Sequence, residues 1–317
     1  QDAMISCIMK ACAEAGAASR LGSYHAEIRT AEGRVLRFES AWMEERIESK
    51  NELKRALYRA LTELTGKALP WGTLTGIRPA KLALTRLQEG KSADEVRAEF
   101  KRDFFLSDAR NELCVRTAEN ELRAIRGLDF STGYSLYIGI PFCPTTCLYC
   151  SFPSYPIGSK KSTVYLAALK EEIRLVAELM AEKRLDAIYV GGGTPTSLSA
   201  AELEDLLGFV RGLFDLSALR EFTVEAGRPD SISREKLIVL KEQGADRISI
   251  NPQTLKQETL DLIGRFHTVD QFTESFRLAR ELGFDNINTD LIMGLPNESE
   301  ADVRRTMEGI RALSPDD

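Results

Sequence analysis

Tyr134-Ser135-Leu136-Tyr137-Ile138-Gly139-Ile140-Pro141-Phe142-Cys143-Pro144-Thr145-Thr146-Cys147-Leu148-Tyr149-Cys150 is an apolar run followed at once by three cysteines, spaced by three and then two residues. Tyr134 to Ile140 reads as a β-strand, which puts the thiols in the loop at its C-terminal end. Thiolates are soft ligands suited to iron–sulfur clusters, and three so close together can hold three irons of a four-iron cluster. Ser151 and Phe152 follow, so no nearby cysteine completes the set and the fourth iron stays open to a substrate or cofactor. Two other readings compete. The cysteines can be small buried side chains, or they can bind zinc, which in structural sites usually takes four Cys or His ligands; the chain has two histidines, neither near this loop in sequence.

From Tyr134 onward, short apolar runs alternate with helical patterns, the signature of stacked βα units and a parallel sheet. The strands expected are Tyr134–Ile140, Ala187–Val190, Glu221–Glu225, Arg247–Ile250 and Asn286–Ile292. Helices are expected over Lys161–Met180, Ala200–Leu213, Ser233–Gln243, Lys256–Ile263, Val269–Leu282 and Glu300–Leu313. Ser199 with Glu202 three residues later forms a capping box before the second of these. Five strands are too few for a closed eight-stranded barrel of ~250 residues. The expected fold is therefore α/β, a partial (β/α) barrel over 131–317, cut before a final strand and C-terminal portion.

Residues 1–130 read as a separate, mostly helical α+β region. Met4–Ala15 has a helix-like pattern, and Ser23–Ile28 with Val35–Phe38 pair as a hairpin around Ala31-Glu32-Gly33-Arg34. Arg46–Leu64 carries apolar residues at a 3.6-residue period, and Ser92 and Ser107 stand as N-caps of Ala93–Phe105 and Asp108–Ile125. Between them lies Trp71-Gly72-Thr73-Leu74-Thr75-Gly76-Ile77-Arg78-Pro79. Either Trp71 and Arg78 contact a ligand or the second domain, or the stretch is a packed interdomain loop. Cys7, Cys12 and Cys114 are isolated and read as small buried hydrophobes.

The 317 residues include 43% hydrophobic ones, enough for a sizeable core and about two domains. A net charge of −6 argues against a general nucleic-acid binder, which carries a basic stripe. No apolar run approaches the ~18 residues of a membrane span. The start has no basic n-region before an apolar stretch, and six cysteines outside any regular framework fit a reducing compartment. A cytoplasmic protein is expected.

Ligands of parallel α/β sheets gather at the C-terminal ends of the strands, so those loops read as one site. After the second strand comes Gly191-Gly192-Gly193-Thr194-Pro195-Thr196, three glycines that can expose successive amides to a carboxylate or phosphate. It lacks the Gly-Lys-Ser/Thr ending of a P-loop. Glu225 ends the third strand, where an acidic side chain can accept hydrogen bonds from ribose hydroxyls. Asn251-Pro252-Gln253 follows the fourth strand, Arg265 and His267 the next helix, and Asp290 with Gly294-Leu295-Pro296 belongs to the fifth.

Together, Ile140-Pro141-Phe142 before Cys143-x3-Cys147-x2-Cys150, Gly191-Gly192-Gly193-Thr194-Pro195-Thr196 and Gly294-Leu295-Pro296 resemble the radical S-adenosylmethionine enzymes of the oxygen-independent coproporphyrinogen III oxidase group. The resemblance covers about 134–317. Gly72-Thr73-Leu74-Thr75-Gly76-Ile77-Arg78-Pro79 is similar to the N-terminally extended branch of that group, the coproporphyrinogen dehydrogenases. The resemblance implies a [4Fe–4S] cluster on Cys143, Cys147 and Cys150, with S-adenosylmethionine chelating the open iron. It places Gly192, Gly193 and Thr194 at the methionyl end, Tyr137 beside the cofactor, and Glu225 on the ribose. Gln253, Arg265 and Asp290 match further cofactor contacts.

The activity implied is generation of a 5′-deoxyadenosyl radical that abstracts hydrogen from the propionate β-carbons of coproporphyrinogen III. Loss of carbon dioxide and one electron, twice, leaves the vinyl groups of protoporphyrinogen IX, with a flavodoxin or ferredoxin as electron donor. A tetracarboxylate needs cations, and Arg228 and Arg265 are the arginines expected to meet it. Arg228 can equally be a structural ion-pair partner. Two positions depart from the oxidases, Gly139 where they carry a histidine and Phe152 where they carry a further cysteine. The haem-chaperone branch also lacks that cysteine and shares Gly264-Arg265-x-His267, so haem binding is the first alternative and haem methyl transfer a second.

Overall fold

In the computed structural model, residues 5–12, 23–30, 35–41, 45–76, 78–157 and 159–317 are described. The chain divides into two compact units, Gln1–Gly127 and Leu128–Asp317. The first holds an antiparallel sheet of β1 (Ile5–Cys12), β2 (Ser23–Thr30) and β3 (Val35–Ala41), in that order. Helices α1 (Arg46–Thr65), α2 (Pro79–Gln88), α3 (Ala93–Phe104) and α4 (Asp108–Ala124) follow. The helix expected over Met4–Ala15 is instead β1, whose backbone runs from Ile5 opposite Thr30 to Cys12 opposite Ser23. Pairing with a strand some twenty residues away overrides the local helical pattern, as tertiary context commonly does. The hairpin turn 31–34 and the ends of the Met4–Ala15 stretch lie outside the described residues.

Ala60 and Leu64 of α1 pack on Leu36 and Phe38 of β3, while Val96, Phe100, Val115 and Ala118 join α3 and α4 in a separate core. Ser92 and Ser107 cap their helices by accepting the amides of Glu95 and Arg110. Trp71 packs against this helical core, beneath the Arg110 guanidinium at 5.5 Å, and Arg78 lies 3.6 Å from Glu121. Both residues thus have partners within their own unit. Cys114 is buried, and burial pushes its thiol up to about 11.

The second unit carries a parallel sheet of β4 (Gly133–Ile140), β7 (Arg184–Gly192), β8 (Glu221–Glu225), β9 (Arg247–Ser249) and β10 (Ile287–Asn288), ordered β10-β9-β8-β7-β4. Two short strands, β5 (Phe142–Cys143) and β6 (Tyr155–Pro156), pair beside it. Helices α5 (Ser159–Leu179), α6 (Ala200–Leu213), α7 (Arg234–Glu242), α8 (Gln257–Leu262), α9 (Val269–Glu281) and α10 (Glu300–Leu313) complete it. This is the α/β partial barrel expected.

Period-two alternation sorts each strand. Leu136, Ile138 and Ile140 on β4, with Ile188, Val190 and Val224 on its neighbours, are buried with the apolar stripes of the helices, such as Leu203, Leu206 and Val210 of α6. Tyr137, Tyr189, Thr223 and Arg247 stand in register on the other face. The Ser199–Glu202 capping box is formed in both directions. The strand expected over Asn286–Ile292 shortens to Ile287–Asn288, because the Asp290 amide donates to the Asn251 side-chain oxygen at 3.0 Å instead of joining a ladder.

Candidate cluster and cofactor site

β4 delivers the chain to β5, and the three-cysteine loop begins at its end. Cys150 N–H donates to the Cys147 carbonyl at 3.0 Å, Leu148 N–H to the Ile263 carbonyl at 2.9 Å, and the Thr145 hydroxyl to the Gly264 carbonyl at 3.1 Å. The loop is thereby held against the segment that follows α8. Cys147 is buried, Cys143 and Cys150 are half-buried, and all three are free thiols. Cys143 lies 3.3 Å from the Thr194 hydroxyl, and burial pushes its thiol up. Among the described residues no three His, Cys, Asp or Glu side chains converge as they would around a single metal ion. A cluster puts each thiolate on a separate iron, so three soft donors spread along one short loop fit it.

The glycine loop departs from expectation. Gly193 N–H donates to the Ile140 carbonyl at 2.8 Å and Thr194 N–H to the Phe142 carbonyl at 2.7 Å, while the Gly192 amide is engaged by Glu225. These amides are therefore not displayed to a ligand; those of Gly193 and Thr194 clamp the backbone that leads into Cys143, and that of Gly192 turns to the Glu225 carboxyl. The need for glycine is steric. A Cβ on Gly193 would sit 2.7 Å from the Phe142 carbonyl oxygen, closer than real Cβ contacts come, and a tight 3.0 Å from that of Ile140.

Glu225 accepts a 2.6 Å hydrogen bond from Tyr189, whose ring stacks on exposed Tyr137 at 5.8 Å and 11°. Tyr189 is a residue that the motifs did not single out; it stands in register beside Tyr137, a pairing that only the folded sheet shows. Asp290 is joined to Asn251 reciprocally, each contact 3.0 Å, and accepts from Asn288 at 3.0 Å. Gln253 is buried and adopts a left-handed φ of 69°, a conformation costly for a residue with a Cβ; its amide donates to the Asp290 carbonyl and its carbonyl accepts from Ile292. Glu225, Gln253 and Asp290 thus meet at neighbouring strand ends.

Burial holds the Glu225 carboxyl above the ordinary carboxylate range, helped by the charge of Asp290 and opposed by the Tyr189 hydroxyl and the Gly192 amide. A carboxyl so raised binds its proton more tightly in the fold than in the unfolded chain. The stability it contributes is complete below the unfolded value, about 4.3, and is lost as pH rises through the folded one. Glu225→Gln is therefore expected to melt above wild type at pH 7, with the gap closing toward pH 4. Equal melting at pH 7 would refute the assignment.

Arg228 is buried. Its Nε and Nη2 grip Asp230 at 3.0 and 2.7 Å, and Nη1 reaches the Thr145 hydroxyl at 2.8 Å, the Thr145 carbonyl at 3.2 Å and Cys147 Sγ at 3.7 Å. Every nitrogen is committed, so the expected grip on a substrate carboxylate is replaced by the ion-pair role. Arg265 is also buried, donating to the carbonyls of Gly227 (2.8 Å) and Asn251, to the Tyr149 hydroxyl at 3.1 Å, and lying 4.0 Å from Cys147 Sγ. It too is withdrawn from any substrate carboxylate. Only its Nε is buried without a partner. Burial raises the Tyr149 phenol to about 12 and lowers fully buried His267 to about 4, so that imidazole is neutral at pH 7.

The family model of the radical SAM superfamily matches residues 137–310, more than half of the chain and nearly all of the second unit. The chain belongs to the radical SAM superfamily. This superfamily uses a [4Fe–4S] cluster and S-adenosylmethionine. The radical SAM chain is 42% identical over 273 residues to the oxygen-independent coproporphyrinogen-III oxidase-like protein HemZ of Bacillus subtilis, covering 84% of this chain and 54% of that protein. It is 45% identical over 166 residues to the heme chaperone HemW of the same organism, covering 52% and 44% respectively. Among solved structures, coproporphyrinogen III oxidase (HemN) from Escherichia coli superposes with a TM-score of 0.55 at 30% identity, over 62% of this chain and 45% of that one. The chain spans about half the length of the curated relatives it matches. Among the described residues, no helix is long and apolar enough to cross a membrane.

Proposed function

We propose that this radical SAM chain serves oxidative decarboxylation of coproporphyrinogen III, its propionates becoming the vinyl groups of protoporphyrinogen IX. The observation that carries the reading is the 42% identity to an oxidase-like protein over 273 residues, more than the second unit contains, so that the likeness extends into the first. When bound, the cluster and S-adenosylmethionine supply a strongly oxidising carbon-centred radical, with the electron coming from a flavodoxin- or ferredoxin-type donor. Cys143, Cys147 and Cys150 are the ligands proposed for the cluster. Gly192, Gly193 and Thr194 border the methionyl end, and Gln253, Arg265 and Asp290 border the rest of the cofactor. Glu225 is the ribose acceptor, already oriented by Tyr189 at 2.6 Å. The exposed ring of Tyr137 forms a flat wall over which the cofactor and an apolar macrocycle can lie.

A second reading, haem binding without turnover, has its own support in the 45% identity to a heme chaperone and in Gly139 and Phe152. Incubating the complete protein anaerobically with S-adenosylmethionine and reductant, with coproporphyrinogen III in one arm and haem in the other, separates the two. Protoporphyrinogen with release of carbon dioxide is expected; stable haem binding with no decarboxylation would overturn the oxidase in favour of the chaperone.

A further inference from the structure

Two buried guanidinium groups converge on one sulfur. Arg228 is 2% exposed and Arg265 4%, and their Nη1 atoms lie 3.7 and 4.0 Å from Cys147 Sγ. The two are anchored differently. Asp230 grips Arg228 bidentately, which fixes the guanidinium plane and neutralises one charge. The hydrogen-bond partners of Arg265 are neutral oxygens of Gly227, Asn251 and Tyr149. One net positive charge is therefore left beside the Cys147 sulfur, in a place where burial weakens screening by water. Arg228 also joins Thr145 through both the hydroxyl and the carbonyl, tying the loop between the first two cysteines to the segment after β8.

We propose that Arg228, held by Asp230, is a positioning residue for the cluster: it locks the Thr145–Cys147 part of the loop and, by placing N–H and positive charge on the Cys147 sulfur, makes the cluster easier to reduce. Reduction adds negative charge to the cluster and its thiolates, and hydrogen bonds to those sulfurs stabilise the added charge. Lysine would preserve the charge but not the fork that grips Asp230 while reaching Thr145. The proposal rests on the reading that Cys147 is a cluster ligand.

The test uses the complete protein, reconstituted anaerobically, with two readouts: the midpoint potential of the cluster and the rate of iron loss to a chelator. Arg228→Gln is expected to lower the equilibrium constant for reduction about tenfold, which for one electron is about 59 mV toward more negative potential, and to lose iron several-fold faster. Arg228→Lys is expected to keep most of the potential and share the faster loss. Thr145→Val, which removes the hydroxyl and no charge, is expected to lose iron faster at the wild-type potential. A wild-type potential in Arg228→Gln would overturn the electrostatic half, and unaltered iron loss in Thr145→Val the loop-holding half, even if the arginine variants fail to fold. A wild-type protein that takes up no cluster would overturn the ligand reading and this proposal with it.

Discussion

Anaerobically reconstituted wild-type protein is expected to carry about four irons per chain, and Cys147→Ala is expected to lose them, with iron content and the charge-transfer absorption falling to background. Cys147 is the middle cysteine and the most buried of the three. Its loss leaves two thiols for a cluster that needs three. The fold should survive, since Arg228 retains Asp230 and Thr145, Arg265 retains its carbonyl partners, and the Cys150 and Leu148 amides keep their backbone acceptors. A core truncation this small costs about 1 kcal/mol, visible as a modest shift in the urea midpoint. Cys114→Ala, a buried thiol of the first unit, is the matched control and should keep its iron. A full iron complement in Cys147→Ala would sink the ligand assignment.

Gly193→Ala is expected to be nearly as damaging by another route. Its Cβ would meet the Phe142 carbonyl oxygen at 2.7 Å, with the Phe142 amide nitrogen and the Ile140 carbonyl oxygen at 3.0 Å. All three are backbone atoms and cannot swing aside as a long side chain would. Overpacking of this kind costs about 1–3 kcal/mol, and here the yielding segment is the one that carries Cys143. The variant should lose stability and take up iron poorly together. Gly212, near the end of α6, has nothing within 4 Å of where a Cβ would stand, so Gly212→Ala should be neutral or slightly stabilising, alanine being the better helix former. Equal iron uptake by Gly193→Ala and wild type would show that the glycine is not needed for close approach.

Some expectations succeeded because the information was local. Ser92, Ser107 and Ser199 cap helices through amides three residues away, and such contacts are visible in a short window of sequence. The β4 and β8 strands show their alternation or apolar run directly. Failures came where a partner far along the chain decided the matter. Ile5–Cys12 became a strand through its pairing with β2, and the fifth parallel strand was cut short by the side chain of Asn251.

The sequence by itself determined that three cysteines follow a strand, that βα units follow them, and that acidic and glycine-rich segments end successive strands. Spacing and periodicity carry those facts, and chain connectivity alone brings the strand ends to one rim. Only the tertiary structure decided how the groups at that rim are used. Arg228 reaches Cys147 across 81 residues of chain and Arg265 across 118, so no local pattern could reveal that both guanidiniums face inward to the loop. The amides of Gly193 and Thr194 likewise close on backbone more than fifty residues earlier, near 140 and 142. A buried donor must find an acceptor, and which acceptor lies within reach is settled when the loops pack.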